Sequence, residues 1–271
     1  MVGLSAIFGS VVAAITILAA LLQILGYLPN IISFLRNPTN YIDPRKLLRD
    51  VYWIRRFWAP IVSDEEFIIV FPNREKKPSI PGLIEYDVKS TNILLRELTA
   101  KFSSVENQSI TDVEFGSEHK DHHLITVAGP VSNKLTYDLL QTNDLPYAFE
   151  QEGEEVTATI VPRSNDEDPY VPDTIQSGKG DVPKVLVDYG IITRMKSPYD
   201  SDCVMINVAG GFGPGTFSGF ELLTDPDALS RFCREGGDEY QVIYEVPLDS
   251  QGVIQTPEII NIEPINSSQS E

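Results

Sequence analysis

The first 35 residues of the chain contain no aspartate, glutamate, lysine or arginine. A secretory signal peptide starts with a positively charged region and has a short apolar core, so this stretch does not fit a cleaved leader. At about 1.5 Å per helical residue, about 20 apolar residues cross the hydrocarbon core of a bilayer. We therefore predict a transmembrane helix within residues 1–35; a buried core helix and a monotopic anchor are the alternatives.

Acidic residues are also scarce in the segment that follows. Residues 36–56 contain six basic and two acidic residues, a net charge of +4. Because positively charged flanks stay on the cytoplasmic side, the sequence predicts a single-pass membrane protein whose C-terminal domain is cytoplasmic. Tyr52, Trp53, Phe57 and Trp58 lie among these basic residues, so we predict a basic, aromatic juxtamembrane helix over residues 36–60. This helix either lies among the lipid headgroups or packs on the domain.

Cysteine and histidine are rare, with two and three residues in the chain. Two cysteines do not provide a disulfide framework for a domain of this size, which fits a reducing compartment. His119, His122 and His123 lie close in sequence, but no further histidine or cysteine accompanies them, so we predict no metal site. No Ser/His/Asp or Cys/His set indicates a nucleophilic centre, and the sequence identifies neither a catalytic residue nor a cofactor.

Basic residues are few in the remainder of the chain. Residues 61–271 contain 37 acidic and 15 basic residues, a net charge of −22. A surface of this charge repels nucleic acid, so we predict no direct nucleic-acid binding. The acidity indicates either a docking surface for a basic partner protein or a device for solubility.

Short apolar runs indicate strands that are buried on both faces, over residues 67–71, 124–128 and 204–209. Each run is followed by a loop and then by apolar residues at helical spacing. This alternation predicts an α/β fold, with a Rossmann-like, mostly parallel three-layer ligand-binding domain over residues 61–265. We predict antiparallel hairpins at its edges, over residues 147–161 and 240–262, and a disordered tail over residues 266–271.

A glycine-rich turn follows the last of these strands. Such turns let backbone N–H groups approach a ligand phosphate at a helix N-terminus. This turn lacks the lysine of a phosphate-binding P-loop and does not fit G-x-G-x-x-G, which argues against ATP hydrolysis by that route. A plain connection across the sheet edge is the alternative. The candidate ligand-binding residues are Gly210, Gly211, Gly213, Gly215 and Thr216.

A second turn follows the strand over residues 124–128. Gly129, Ser132 and Asn133 are candidate ligand contacts there, although either polar side chain would serve equally as a helix N-cap. Asp188 follows a predicted strand, where its carboxylate could accept a hydrogen bond from a ribose hydroxyl. An aspartate two residues before Gly190 is also typical of a structural turn.

These features predict a membrane-anchored sensor or effector whose domain binds a small, nucleotide-like ligand and couples it to the membrane segment or to oligomerisation. One helix cannot enclose a pore, so an action on the lipid bilayer would need a homo-oligomer. The second hypothesis is a membrane-anchored hydrolase or transferase acting on a nucleotide or sugar phosphate, with Asp188 or Asp87 as the carboxylate in the pocket. The third is a non-catalytic scaffold that binds a partner protein through its acidic surface.

Overall fold

The computed structural model describes residues 44–62, 66–73, 83–102, 105–142, 145–152, 155–164, 167–175 and 184–265. The chain divides into two units, Met1–Leu48 and Arg49–Glu271, and the fold below is that of the second unit. The predicted membrane span over residues 1–35 and the predicted tail over residues 266–271 lie outside the described residues. Within the described residues, no helix combines the length and the hydrophobicity needed to cross a bilayer.

Helices and strands alternate along most of the described chain. The helices are α1 Pro44–Val62, α2 Leu83–Lys101, α3 Lys134–Thr142, α4 Gly213–Leu222 and α5 Pro226–Arg231. The strands are β1 Phe67–Phe71, β2 Asn107–Thr111, β3 Leu124–Val127, β4 Tyr147–Glu152, β5 Glu155–Pro162, β6 Asp173–Ile175, β7 Lys184–Lys196, β8 Val204–Gly210, β9 Tyr240–Pro247 and β10 Glu258–Pro264.

Eight of the described strands form one sheet in the order β10-β9-β7-β8-β3-β1-β2, with β6 paired to β7. The neighbours β2, β1, β3 and β8 are parallel. Strand β7 is antiparallel to β8, β9 and β6, so these three run in the same direction as the parallel block. The prediction of a mixed α/β fold with a mostly parallel central sheet flanked by helices is therefore confirmed.

The antiparallel hairpins take two different places. Strands β9 and β10 pair at one edge of the sheet, as the sequence predicts for residues 240–262. Strands β4 and β5 pair with each other as a separate two-stranded sheet, and Ile160 of β5 also forms an isolated bridge with Tyr170. Their side chains pack on one face of the central sheet, where Phe149 and Ile160 join a cluster with Ile191 and Ile243. This hairpin is thus a covering layer rather than an extension of the sheet.

Side chains of the central strands alternate between two buried faces. In β1, Phe67 and Ile69 lie in the cluster that contains core residues of α1, α2, α4 and α5. Ile68 and Val70 lie in the opposite cluster, with Leu135 of α3. Helices on one face, and α3 with the β4–β5 hairpin on the other, complete three layers. A strand buried on both faces has a continuous apolar sequence, which is why β1 is readable as FIIVF.

From Arg49 onward, one side of helix α1 packs on the domain. Residues 36–43, where the predicted juxtamembrane helix begins, lie outside the described ranges. Ile54, Phe57, Trp58 and Ile61 recur at helical spacing and are buried in the core. The Trp58 indole Nε1 donates a hydrogen bond to the Leu223 carbonyl oxygen at 3.0 Å. Phe57 and Trp58, the aromatic residues on this side of the helix, are therefore part of the hydrophobic core of the domain.

Candidate functional site

Two strand-to-helix turns lie side by side at the carboxyl edge of the sheet. Strands β3 and β8 are parallel neighbours, so the turn leading to α3 adjoins the turn leading to α4. A Cβ atom added to Gly129 would lie 2.7 Å from the carbonyl oxygen of Gly210. The backbones of the two turns thus meet at a distance that only glycine allows at position 129.

A cleft of about 200 Å³ opens beside this contact. Its walls are the two turns, the start of α2 and the β4–β5 hairpin, and the lining residues are Asp87, Ala128, Gly129, Pro130, Val131, Ser132, Phe149, Thr157, Ala158, Gly210, Gly211, Phe212, Gly213 and Thr216. Of the predicted ligand contacts, Gly215, Asn133 and Asp188 do not line it. The remaining six are brought together there.

Asp188 binds the glycine-rich turn from within the protein. Gly190 of β7 pairs with Gly210 at the end of β8, so Asp188 lies just beyond that end. Its carboxylate accepts backbone N–H bonds from Tyr189 at 2.9 Å, from Phe212 at 3.1 Å and from Gly215 at 2.6 Å. Donors that a bound phosphate would use at the start of α4 are thereby satisfied by a side chain.

Burial dominates the acid–base behaviour of this carboxyl group. Complete burial raises the pKa of Asp188 to about 7, and the three N–H donors limit the rise because they stabilise the charged form. The same environment raises the pKa of Tyr244 well above its usual value, by burial first and by the nearby Asp188 second. The Tyr244 hydroxyl donates to the Gly215 carbonyl oxygen at 2.8 Å and so anchors the turn from its other side.

Asn133 caps α3 and joins it to the sheet. Its Oδ1 accepts from the N–H groups of Leu135 at 2.9 Å and Thr136 at 3.2 Å. Its Nδ2 donates to the carbonyl oxygens of Val70 at 3.1 Å and Val127 at 2.9 Å. The first two bonds are those of a helix N-cap, and the other two join the side chain to β1 and β3. The neighbouring Ser132 lines the cleft.

Replacing Asn133 with alanine is expected to lower the free energy of unfolding by about 3 kcal/mol, because buried carbonyl and N–H groups lose their partners. Denaturant unfolding monitored by circular dichroism measures this loss. Ser132→Ala, one residue away and partly exposed, is the matched control and is expected to change stability by less than about 0.5 kcal/mol. Equal losses in the two variants would contradict the capping role of Asn133.

One lining residue of the cleft, Ala128, has an unfavourable backbone conformation. Ala128 has φ of 80°, the one positive value among the described non-glycine residues. Its N–H donates to the Val208 carbonyl oxygen at 3.0 Å, which continues the β3–β8 ladder into the turn. A non-glycine residue in this region costs about 1 kcal/mol or more, and such residues concentrate at binding sites.

Sequence reasoning missed the hairpin residues of the cleft, although it named Asp87 of α2 as a possible carboxylate in the pocket. Phe149, Thr157 and Ala158 come from the hairpin and line the cleft with Asp87. Their sequence neighbourhoods contain no glycine motif, and only the packing of the layers brings them to the turns. In the part of the chain that the structure describes, no group of three or more His, Cys, Asp or Glu side chains could hold a metal ion.

The histidines and cysteines have structural surroundings. His119 Nδ1 accepts from the Gly116 N–H at 2.9 Å, and His123 Nδ1 accepts from the Val204 N–H at 2.8 Å. Cys203 is buried, and burial raises the pKa of the half-buried Cys233 thiol. None of these four side chains lines the cleft.

No known protein family matches the chain, and no curated protein matches it either.

Proposed function

We propose that the chain is a membrane-anchored cytoplasmic sensor or effector whose α/β domain binds a small, nucleotide-like ligand in the cleft. One observation carries the proposal: the cleft lies beyond the carboxyl ends of the parallel strands β3 and β8, where ligands bind in open α/β sheets. The cleft is lined by the two turns, by α2 and by the β4–β5 hairpin, so a bound molecule would contact all of them.

The lining favours the nucleoside part of such a ligand over its phosphate. Asp87 is the only charged side chain among the described lining residues, and it suits the hydroxyl groups of a ribose or the N–H groups of a base. The N–H groups of Phe212 and Gly215 bind Asp188, and the first N–H groups of α3 bind Asn133 and Asp112. Phosphates would therefore extend away from the turns.

Ligand occupancy has a direct route into the helical layer. Asp87 and Tyr86 are consecutive residues of α2, and the Tyr86 ring lies edge-on to the Phe217 ring of α4, with centroids 6.0 Å apart. A Cβ atom added to Gly213, at the start of α4, would lie 2.6 Å from the Tyr86 ring. A ligand that displaces the turn thus displaces α2 and α4 together. We propose that this movement is passed to the membrane segment or to the assembly of a homo-oligomer.

The hydrolase or transferase hypothesis is supported by Asp87 alone. Asp87 lines the cleft and is buried, whereas the Asp188 carboxylate binds the glycine-rich turn. An enzyme of this kind would turn over the molecule that it binds, and Asp87→Asn would abolish turnover. The scaffold hypothesis requires no small molecule and rests on the acidic surface.

Thermal unfolding of the chain with a panel of nucleosides and nucleotides tests the proposal. A ligand at about 100 times its Kd stabilises the folded state by about 2.7 kcal/mol, which raises Tm by about 5–10 °C in a domain of this size. Ser132→Trp places a large side chain in the cleft and is expected to abolish the rise. Ser201→Trp, on an exposed turn, is the matched control and retains it.

Two outcomes would contradict this function. A stabilisation that survives Ser132→Trp would place the ligand elsewhere on the chain. The absence of any rise across the panel would favour the scaffold hypothesis, which a pull-down with basic partner proteins then tests.

A further inference from the structure

The outward side of α1 differs in charge from the rest of the protein. From Arg49 onward, its exposed residues are Arg49, Tyr52, Arg55, Arg56 and Pro60, and none of them is acidic. Positions 49, 52 and 56 lie on one side of a helix, as do positions 52 and 55, so these side chains form a continuous surface. Ile54, Phe57, Trp58 and Ile61 of the same helix are buried in the core.

Trp53 and a second segment extend this surface. The guanidinium groups of Arg56 and Arg234 lie 5.9 Å and 5.7 Å from the centroid of the Trp53 ring. Arg56 also donates to the Tyr52 hydroxyl at 3.2 Å. Arg234 is exposed and belongs to the short π-helix Phe232–Gly236 that follows α5. We call the surface formed by Arg49, Tyr52, Trp53, Arg55, Arg56 and Arg234 the arginine face.

Internal ion pairs offset little of this positive charge. Arg49 pairs with Asp50 at 3.3 Å and with Asp227 at 2.9 Å, and all three side chains are in contact with solvent. Solvent-exposed ion pairs of this kind contribute little free energy. Arg55 has no carboxylate partner among the described residues. Most of the positive charge of the arginine face is therefore able to attract an external anion.

We propose that the arginine face docks the domain on an anionic lipid bilayer surface. Residues 61–271 have a net charge of −22, so most of the remaining surface is repelled by anionic headgroups. Tyr52 and Trp53 have amphipathic rings of the kind that lies at the headgroup level, between the arginines. The proposal rests on the proposed membrane location of the chain, and it is independent of what the cleft binds.

Tryptophan fluorescence tests the docking in the full chain. The chain has two tryptophans, and Trp58 is buried in the core, so Trp53 reports on the arginine face. The chain is placed in vesicles of phosphatidylcholine alone, or of phosphatidylcholine with phosphatidylglycerol, each with bromine-labelled acyl chains as quencher. We expect strong quenching of Trp53 only in the vesicles that contain phosphatidylglycerol, and its loss at high salt because the attraction is screened.

Charge variants distinguish this surface from others. Each basic residue near an anionic surface contributes about fivefold to binding, so replacing Arg49, Arg55 and Arg56 together with glutamine is expected to reduce the docked-to-undocked ratio about a hundredfold. The control removes the same charge from other exposed positions, with Arg96→Gln, Lys120→Gln and Lys196→Gln, and is expected to leave quenching within about twofold.

The outcomes separate the two proposals. Failure of the chain to associate with neutral vesicles contradicts the membrane location itself. Association without phosphatidylglycerol-dependent quenching, or quenching that persists in the triple glutamine variant, contradicts the docking alone. Binding of an oligonucleotide that is lost in that variant, without lipid-dependent quenching, assigns the arginine face to nucleic acid and overturns the proposal.

Discussion

The stability of the chain relative to its Asp188→Asn variant is expected to fall by about 2.5 kcal/mol between pH 5 and pH 8. In the folded protein, burial raises the pKa of Asp188 from an ordinary value of 3.8 to about 7. Between these values the unfolded chain has released the proton that the folded chain retains. The stabilisation is therefore complete below about pH 4 and is lost as the pH rises through 7.

Asparagine is the right comparison because it has nearly the same shape and does not ionise. Every other titrating group is common to both proteins, so the difference between their unfolding free energies isolates Asp188. Urea unfolding at intervals of pH measures it, starting above the isoelectric point of about 4.5 to avoid precipitation. Parallel curves would contradict the prediction, and would mean that the N–H groups of Tyr189, Phe212 and Gly215 keep the carboxylate ionised throughout.

Replacing Trp58 with alanine is expected to lower the free energy of unfolding by about 4 kcal/mol. Trp58 is 1% exposed, and the loss of its side chain would leave a cavity in the core that α1 shares with β1 and α4, together with an unpaired Leu223 carbonyl oxygen. Denaturant unfolding in the absence of vesicles measures the change. Tyr52→Ala is the matched control on the same helix, since Tyr52 is 52% exposed and is expected to contribute less than about 0.5 kcal/mol.

This pair of variants also tests where the domain begins. The sequence predicts the ligand-binding domain over residues 61–265, after the juxtamembrane helix. In the structure, Ile54, Phe57 and Trp58 precede that boundary in the sequence but are buried in the core of the domain. Similar small effects at positions 52 and 58 would favour a domain that is stable without α1. A large effect at position 58 alone would extend the folding unit to include the helix.

Elements with one dominant local signal were predictable from the sequence. The run Phe67–Phe71 is apolar at every position because both of its faces are covered, and the edge strand β10 alternates because one of its faces is more exposed. The same alternation in β9 predicts a half-exposed strand, which is wrong, because β9 is buried on both faces between β10 and β7. The two turns after β3 and β8 were recognisable from glycine and proline. These signals are carried by neighbouring residues, so no knowledge of tertiary contacts was needed.

Residues around position 188 show why other features were not predictable. Aspartate and glycine favour turns, so Asp188 and Gly190 suggest a break between two strands. The structure has one 13-residue strand there, Lys184–Lys196. A Cβ atom at Gly190 would lie 2.3 Å from the Tyr244 ring, and Asp188 binds the distant turn before α4. Both residue types are required by partners far away in the sequence, which a local pattern cannot reveal.

The conformation of Ala128 has a consequence for how the cleft can adapt. Its positive φ lies in a region that few non-glycine residues adopt. The hydrogen bond from its N–H to the Val208 carbonyl oxygen fixes the peptide to the sheet. That wall is thus preorganised, and we expect it to select ligands by shape. The opposite wall belongs to the β4–β5 hairpin, which side-chain contacts rather than strand pairing join to the central sheet. Induced fit, if a ligand requires it, is therefore expected to occur on one side of the cleft.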